Sequence, residues 1–238
     1  TPMNGIIGMT AIALQRDQSQ ERIMDCLQKI RSSSDYLLGL INDILDMSKI
    51  ESGKMELELV NFNMYEMVDT VAQLIGIQAG EKGIDFVQDI DLAHSWFMAD
   101  RMRISQVLIN LLGNAVKFTP EGGKITLTVH EESRGQGDVR VFFAVRDTGI
   151  GITKEDQERV FRSFEQSSNR NLSKQQGTGL GLSISRRLVQ MMGGDIRLDS
   201  CLGEGSTFSF AVALKPGTDM EHEEKQEELS FDGCHVLV

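Results

Sequence analysis

Residues 100–118 read DRMRISQVLINLLGNAVKF, and the way this stretch sorts its residues decides the fold. Asp100 is placed to cap a helix running to about Phe118, because a short carboxylate can accept from the first free backbone N–H groups. Ile104, Leu108, Leu111 and Ala115 recur at helical spacing and make one apolar face. Arg103, Gln106, Asn110, Asn114 and Lys117 fall on the other side, within an arc of about 80°. Two readings of that polar side stand together here. It is an ordinary solvated face, or it is a site in which amide oxygens bind Mg2+ and the Lys117 ammonium meets a phosphate.

Working toward the C-terminus, Ile125, Leu127 and Val129, then Val141, Phe143 and Val145, alternate as two half-buried strands. The polar, glycine-bearing stretch 133–138 between them predicts a hairpin loop. The second strand runs into Val145-Arg-Asp147-Thr-Gly149-Ile-Gly151. Asp147 either ends a strand at a plain turn or places a carboxylate at a pocket mouth, where it would accept from an adenine amino group. Farther on, Gln176-Gly177-Thr178-Gly179-Leu180-Gly181-Leu opens directly into a predicted helix over 180–192. Glycines before a helix start expose backbone N–H groups at its positive end, which suits phosphate. The spacing fits neither the GxxxxGK[ST] nor the GxGxxG phosphate loop. Between these segments, 150–177 is long, polar and irregular, as a functional loop or lid is. Strands are predicted at 195–200 and 208–214.

Toward the N-terminus the pattern predicts a helix over 62–81 and strands over 84–90 and 96–99. Helices mixed with mostly antiparallel strands indicate an α/β sandwich with its helices on one face of the sheet. Ser52-Gly53 separates this unit from a different one. Ile23, Leu27, Ile30, Ser34, Leu37, Ile41, Ile44 and Ser48 alternate four and three apart, the seam of a coiled-coil-like helix. Met24, Leu38 and Leu45 add a second stripe. Met3, Ile6, Ile7, Ala13 and Leu14 predict a shorter helix before it, with a polar turn at 16–20. Two helices cannot bury two stripes alone, whereas a homodimer forming a four-helix bundle can. Residues 215–231 read as an acidic linker. Cys234-His-Val-Leu-Val238 resembles the first strand of a further domain.

Composition narrows the partners. The 238 residues carry a net charge of −11, which disfavours nucleic acid, since phosphate backbones call for a basic face. No apolar run approaches the roughly 20 residues that cross a bilayer, so a cytoplasmic portion is expected, with inner-membrane anchoring only through segments upstream. Cys26, Cys201 and Cys234 form no CxxC pair, and His94, His130, His222 and His235 are too scattered to chelate one metal.

Taken in order, the segments resemble the sensor histidine kinase family, hybrid type. Asn110 to Lys117 is similar to its N box, and Asp147 to Gly151 to its first glycine box. Phe161-Arg-Ser-Phe164 is similar to its phenylalanine box, Gly177 to Gly181 to its second glycine box, and Gly203-Glu-Gly205-Ser-Thr207-Phe208 to its closing strand. Thr1-Pro-Met-Asn-Gly matches the residues after the phosphoacceptor histidine in the pattern H-E-[IL]-R-T-P. The likeness covers residues 1 to about 214.

The resemblance implies an α+β fold: a dimerisation hairpin (1–52), then an α/β-sandwich ATP-binding domain (60–214) of the histidine kinase and gyrase type. The linker (215–231) and the start of a receiver domain (232–238) would come after it. It implies ATP with Mg2+, and transfer of the γ-phosphoryl group to a histidine four places before Thr1. A receiver domain or response regulator would take the group next, on an aspartate. Asn114 would be the principal Mg2+ ligand with Asn110 beside it, and Lys117 would touch phosphate. Asp147 would hold the adenine amino group, near Gly149, Gly151 and Thr207. Gly177, Thr178, Gly179, Leu180 and Gly181 would wrap the triphosphate under a lid at 153–178 anchored by Phe161 and Phe164. Thr1 would orient water for phosphatase chemistry. In the lid, Gln175 and Gln176 replace the family's usual aromatic residue and first glycine. Two rival readings accompany this one: a gyrase, chaperone or mismatch-repair ATPase of the same fold, and a non-catalytic regulatory homologue acting by dimerisation.

Overall fold

A pair of packed helices comes first in the computed structural model, which describes residues 2–15, 18–133, 139–162 and 179–219. Helix α1 spans Pro2–Ala13 and α2 spans Gln20–Glu51, with the Ser19 hydroxyl accepting from Arg22 N at 3.3 Å to cap the second. Gly5 of α1 lies against Ser33 of α2, where a Cβ would stand 3.6 Å from the hydroxyl. The seam expected along α2 divides between two directions. Ile23, Ile30 and Leu37 are half-buried and Cys26 is buried, whereas Leu27, Ser34, Ile41, Ile44 and Ser48 face solvent. The 26–30–33–37 stripe is the side sheltered by α1, leaving the heptad's other half outward.

The chain then builds β1 (Val60–Asn63), α3 (Met64–Glu81), β2 (Asp85–Asp91), β3 (Trp96–Ala99) and α4 (Arg101–Phe118). Strands β4 (Lys124–Ser133) and β5 (Val139–Asp147) follow, then the short α5 (Lys154–Gln157), α6 (Gly181–Met191), β6 (Ile196–Cys201) and β7 (Gly205–Pro216). The strands run β1-β3-β7-β5-β4-β2, with β6 also on β7, and among the described residues only the β2–β4 pair is parallel. Helices α3, α4 and α6 pack on the sheet, as expected.

Three boundaries differ from the sequence reading. Phe62 belongs to β1, because Asn63 accepts from Tyr65 N at 3.0 Å and starts α3 at Met64. The stretch after Ile150 is not wholly irregular: the Thr153 hydroxyl accepts from Asp156 N at 3.2 Å and caps α5. Residues at the start of the expected acidic linker belong to the sheet, with Lys215 and Pro216 pairing to Met98 and Phe97 and Gly217 N donating to Trp96 O at 2.7 Å. Residues 220–238, with the remainder of that linker and the receiver-like strand, lie outside the described residues.

The core sits between sheet and helices. Ile104, Leu108, Leu111 and Leu112 of α4 meet Ile125, Leu127, Val141, Phe143, Val145 and Phe210 of the strands, and Phe143 and Phe210 stack at 4.8 Å. The inward parity of β5, residues 139, 141, 143 and 145, carries one residue too far to stay apolar: it also buries Asp147. Strand alternation is thus what delivers a carboxylate to the helix-covered side.

Candidate nucleotide site

Asp147 is 6% exposed, yet only one of its carboxylate oxygens is engaged. Oδ1 accepts from Gly149 N at 2.8 Å and Ser206 N at 3.3 Å, and no hydrogen bond among the described residues uses Oδ2. Burial raises its pKa above the ordinary aspartate value, and the two backbone N–H groups pull it partly back. The turn beyond is crowded. A Cβ on Gly149 would fall 2.6 Å from Phe118 O, and Gly151, at φ 68°, backs directly onto the carbonyl of Cys201. Gly203 N closes the same corner on Ile150 O at 2.7 Å. A carboxylate oxygen left without a partner among the described residues is what an exocyclic amino group needs.

Thr207 does not share this corner. In the β5–β7 register Ser206 lies opposite Asp147 and Thr207 opposite the exposed Arg146, so Thr207 belongs to the other face of the strand. Ser206 takes its place: its N–H reaches Asp147 and its hydroxyl pairs with Ser200 Oγ at 2.9 Å. Sequence reasoning missed Ser206. The signal available was the strand's alternation counted back from the core residues Phe208 and Phe210.

Helix α4 joins this corner to the start of α6. Its C-terminal end reaches the Asp147 turn, with Ile150 N on Phe118 O at 3.4 Å, and Lys82 clamps that end by donating to Val116 O and Lys117 O at 2.7 and 2.9 Å. Lys117 is half-buried with its ammonium 4.8 Å from the Phe118 ring centre, and burial lowers its pKa below the ordinary lysine value. A cation held partly out of water gains most when an anion arrives. Asn114 is half-buried, and its amide makes no hydrogen bond among the described residues. Asn110, one turn earlier, touches α6: its Nδ2 donates to Ser185 Oγ at 2.9 Å. A Cβ on Gly181 would lie 2.9 Å from Asn110 Cγ and closer still to Oδ1, so glycine is needed there for space.

The start of α6 carries no side-chain cap. The residue at the cap position, Leu180, is buried and apolar, so the first-turn N–H groups of an 11-residue helix point free from their own backbone. Two amide oxygens, a half-buried ammonium and a helix N-terminus therefore share one side of the molecule with the Asp147 corner. The set fits a magnesium-bound nucleotide: hard amide oxygens for Mg2+, N–H groups and Lys117 for phosphate. Gly179, at φ 71°, leads into this helix. Phe161 packs edge-on to Phe208 at 6.3 Å, with the Arg186 guanidinium 5.1 Å from its ring centre. Thr1, Phe164, Gly177 and Thr178, with Gln175 and Gln176, lie outside the described residues.

Comparison with known proteins identifies the family. Residues 99–216 match the family described as histidine kinase-, DNA gyrase B-, and HSP90-like ATPase, and residues 1–53 match the His Kinase A (phospho-acceptor) domain. The chain is 44% identical over 216 residues to hybrid signal transduction histidine kinase B of Dictyostelium discoideum, covering 89% of this chain and 11% of that protein. It is 39% identical over 216 residues to signal transduction histidine-protein kinase BarA of Escherichia coli, covering 90% of this chain and 23% of that protein. The chain thus spans a quarter or less of the length of these two relatives. Among solved structures, full-length ShkA in complex with AMPPNP aligns at TM-score 0.70 and 32% identity, over 92% of this chain and 44% of that one. The catalytic domain of histidine kinase ThkA aligns at TM-score 0.52 and 34% identity, over 65% of this chain and 95% of that one. ThkA in complex with response regulator protein TrrA aligns at TM-score 0.65 and 28% identity, over 91% and 58%. No helix among the described residues is long and apolar enough to cross a membrane.

Proposed function

This chain belongs to the histidine kinase family, and we propose that it is the core of a hybrid sensor kinase that moves the γ-phosphoryl group of ATP to a histidine. The observation that carries the reading is the pairing, along the same helix-covered side, of the buried Asp147 carboxylate and the Asn114 amide, whose Oδ2 and amide group have no partner among the described residues. Asp147 Oδ2 accepts from the adenine amino group, and the Gly149–Gly151 turn closes one edge of the base. The first N–H groups of α6 and the Lys117 ammonium hold the phosphates. Asn114, with Asn110 beside it, supplies amide oxygens to Mg2+. When bound, the ion neutralises charge that develops on the transferring group.

The acceptor is an imidazole nitrogen on a histidine four places before Thr1. That nitrogen forms a bond to the γ-phosphorus as the bond to the β-bridging oxygen breaks, giving phosphohistidine and ADP. A nitrogen nucleophile of this kind needs little covalent help, so positioning and charge neutralisation supply most of the rate. The phosphoryl group passes next to an aspartate of a receiver domain or response regulator. ThkA, crystallised with TrrA, offers the parallel. Residues 1–52 serve as dimerisation hairpin and 60–214 as the ATP-binding domain, and the outward stripe of Leu27, Leu38, Ile41, Ile44 and Leu45 is the surface a second copy covers.

Calorimetry tests the nucleotide part directly. The chain should take up one ADP per molecule with Mg2+ present and bind GDP far more weakly, and replacing Asp147 with alanine should remove that preference. Equal binding of ADP and GDP by the unaltered chain would contradict the assignment of Asp147.

A further inference from the structure

Among the described residues, Asn110 is the member of the polar face of α4 that is hydrogen-bonded to α6. Its amide is asymmetric in the site: Nδ2 is held at 2.9 Å by the Ser185 hydroxyl, and Oδ1 is the atom turned toward Gly181. Ser185 is 2% exposed and lies 75 residues away in the chain, so the contact comes from packing rather than from local sequence. An amide can present oxygen or nitrogen in either direction at nearly equal shape, and its polar surroundings choose. The Ser185 hydroxyl can accept from the NH2 group or donate to the oxygen, so it holds the amide in place without choosing its direction. The reverse orientation would aim an NH2 group at the positive start of α6, which the helix dipole disfavours.

From this contact we propose that Ser185 is a positioning residue: it pins the Asn110 amide beside the positive start of α6, which selects Oδ1 to face the phosphate and metal end of the site. The proposal rests on the reading of α4 as the metal-bearing helix. With Ser185 in place, Asn110 is preset as an oxygen donor before nucleotide arrives. Without it, the amide loses the contact that fixes its plane, and Oδ1 is no longer held toward the site. Groups that orient a metal ligand from behind typically change metal affinity about 10–100-fold when removed. Ser185 touches neither substrate nor ion, so it acts only through Asn110.

The test uses the full chain in four forms beside wild type: Ser185→Ala, Asn110→Ala, the double variant, and Asn114→Ala. Binding of ADP is measured by fluorescence titration with MgCl2 and with EDTA, and melting is measured without nucleotide. Ser185→Ala should weaken Mg2+-supported ADP binding about tenfold. It should leave binding in EDTA unchanged and shift melting by no more than about 4 °C. In the Asn110→Ala background Ser185→Ala should cost nothing further, because two residues acting through one interaction do not add. The proposal is overturned by equal losses with and without Mg2+, by an undiminished Mg2+ response, or by a full second loss in the double variant. The Asn114→Ala arm separates the two levels: if it too binds Mg·ADP like wild type, the metal-site reading itself fails. If it does not while Ser185→Ala behaves normally, only the role of Ser185 fails.

Discussion

Asp46 near the C-terminal end of α2 accepts from Gln106 Nε2 of α4 at 2.8 Å, and the same oxygen lies 3.4 Å from Arg103. The contact ties the helical hairpin to the polar face that continues through Asn110, Asn114 and Lys117. Met47 and Ile50 add apolar packing against the core of the sheet-bearing unit. The hairpin therefore meets the sheet-bearing unit at α6 as well as at the start of α4.

Asp46→Ala should loosen that joint without unfolding either part. Arg103 and Gln106 would be left half-buried without this acceptor, a loss of about 1 kcal/mol for a hydrogen bond of this kind. Limited proteolysis between Ser52 and Leu59 should accelerate several-fold. An unchanged digestion rate would show that the joint is held by Met47 and Ile50 alone.

Asn114→Ala should abolish phosphoryl transfer in the full-length protein and leave the fold intact. The amide has no structural partner among the described residues, so its removal frees nothing that needs rescue. Circular dichroism and melting should match wild type. Transfer within about threefold of wild type would remove Asn114 from the site, given that charge neutralisation supplies much of the rate.

Asp147 gives the site a pH signature. Burial raises its pKa, so the folded state holds its proton more tightly than the unfolded chain does. Its contribution to stability is present in acid and is lost as pH rises through the raised value. At pH 7 the ionised group therefore costs stability, and nucleotide-free Asp147→Asn should melt at or above wild type. Adenine binding needs the ionised form and should fade on acidification sooner than an ordinary aspartate would allow. Asp147→Asn should bind ADP weakly with a flat profile across that range. A wild-type profile that is equally flat would contradict the role of this carboxylate.

The outward stripe of α2 should make the protein a dimer. Leu38 is 60% exposed and Ile41 47%, and Leu45 is 52% exposed on the same helix. Ile41→Glu places a charge in that stripe, and light scattering should then report a monomer whose ATP-binding domain melts unchanged. A dimer that survives Ile41→Glu and Leu45→Glu together would place the interface elsewhere.

Whatever depends on local period was legible in the sequence. The α4 amphipathic pattern and its Asp100 cap are found as read, Asp100 Oδ1 accepting from Arg103 N at 3.0 Å. The alternation of β4 and β5 and the one-sided helical layer are also as expected. Features that depend on register and packing stayed hidden. The family likeness puts Thr207 near the base, but a shift of one residue along a strand exchanges faces, and Ser206 occupies that corner. Ser185 reads as filler in a glycine-led helix, and only the approach of α6 to Asn110 gives its hydroxyl a task. The α2 seam divides because α1 packs along one side of it, sheltering Cys26, Ile30, Ser33 and Leu37, and no heptad count contains that choice.

Phosphoryl transfer from ATP to a histidine, through the site built on Asn114 and Asp147, is tested most directly on the full-length protein. It is incubated with Mg2+ and ATP labelled at the γ-phosphate, then challenged with acid and with base. The label that forms first, before any passes to an aspartate, is lost in acid and kept in base, as a phosphorus–nitrogen bond on imidazole requires, and Asn114→Ala takes up none. Absence of label on the wild-type protein, or label that survives acid, would contradict this mechanism.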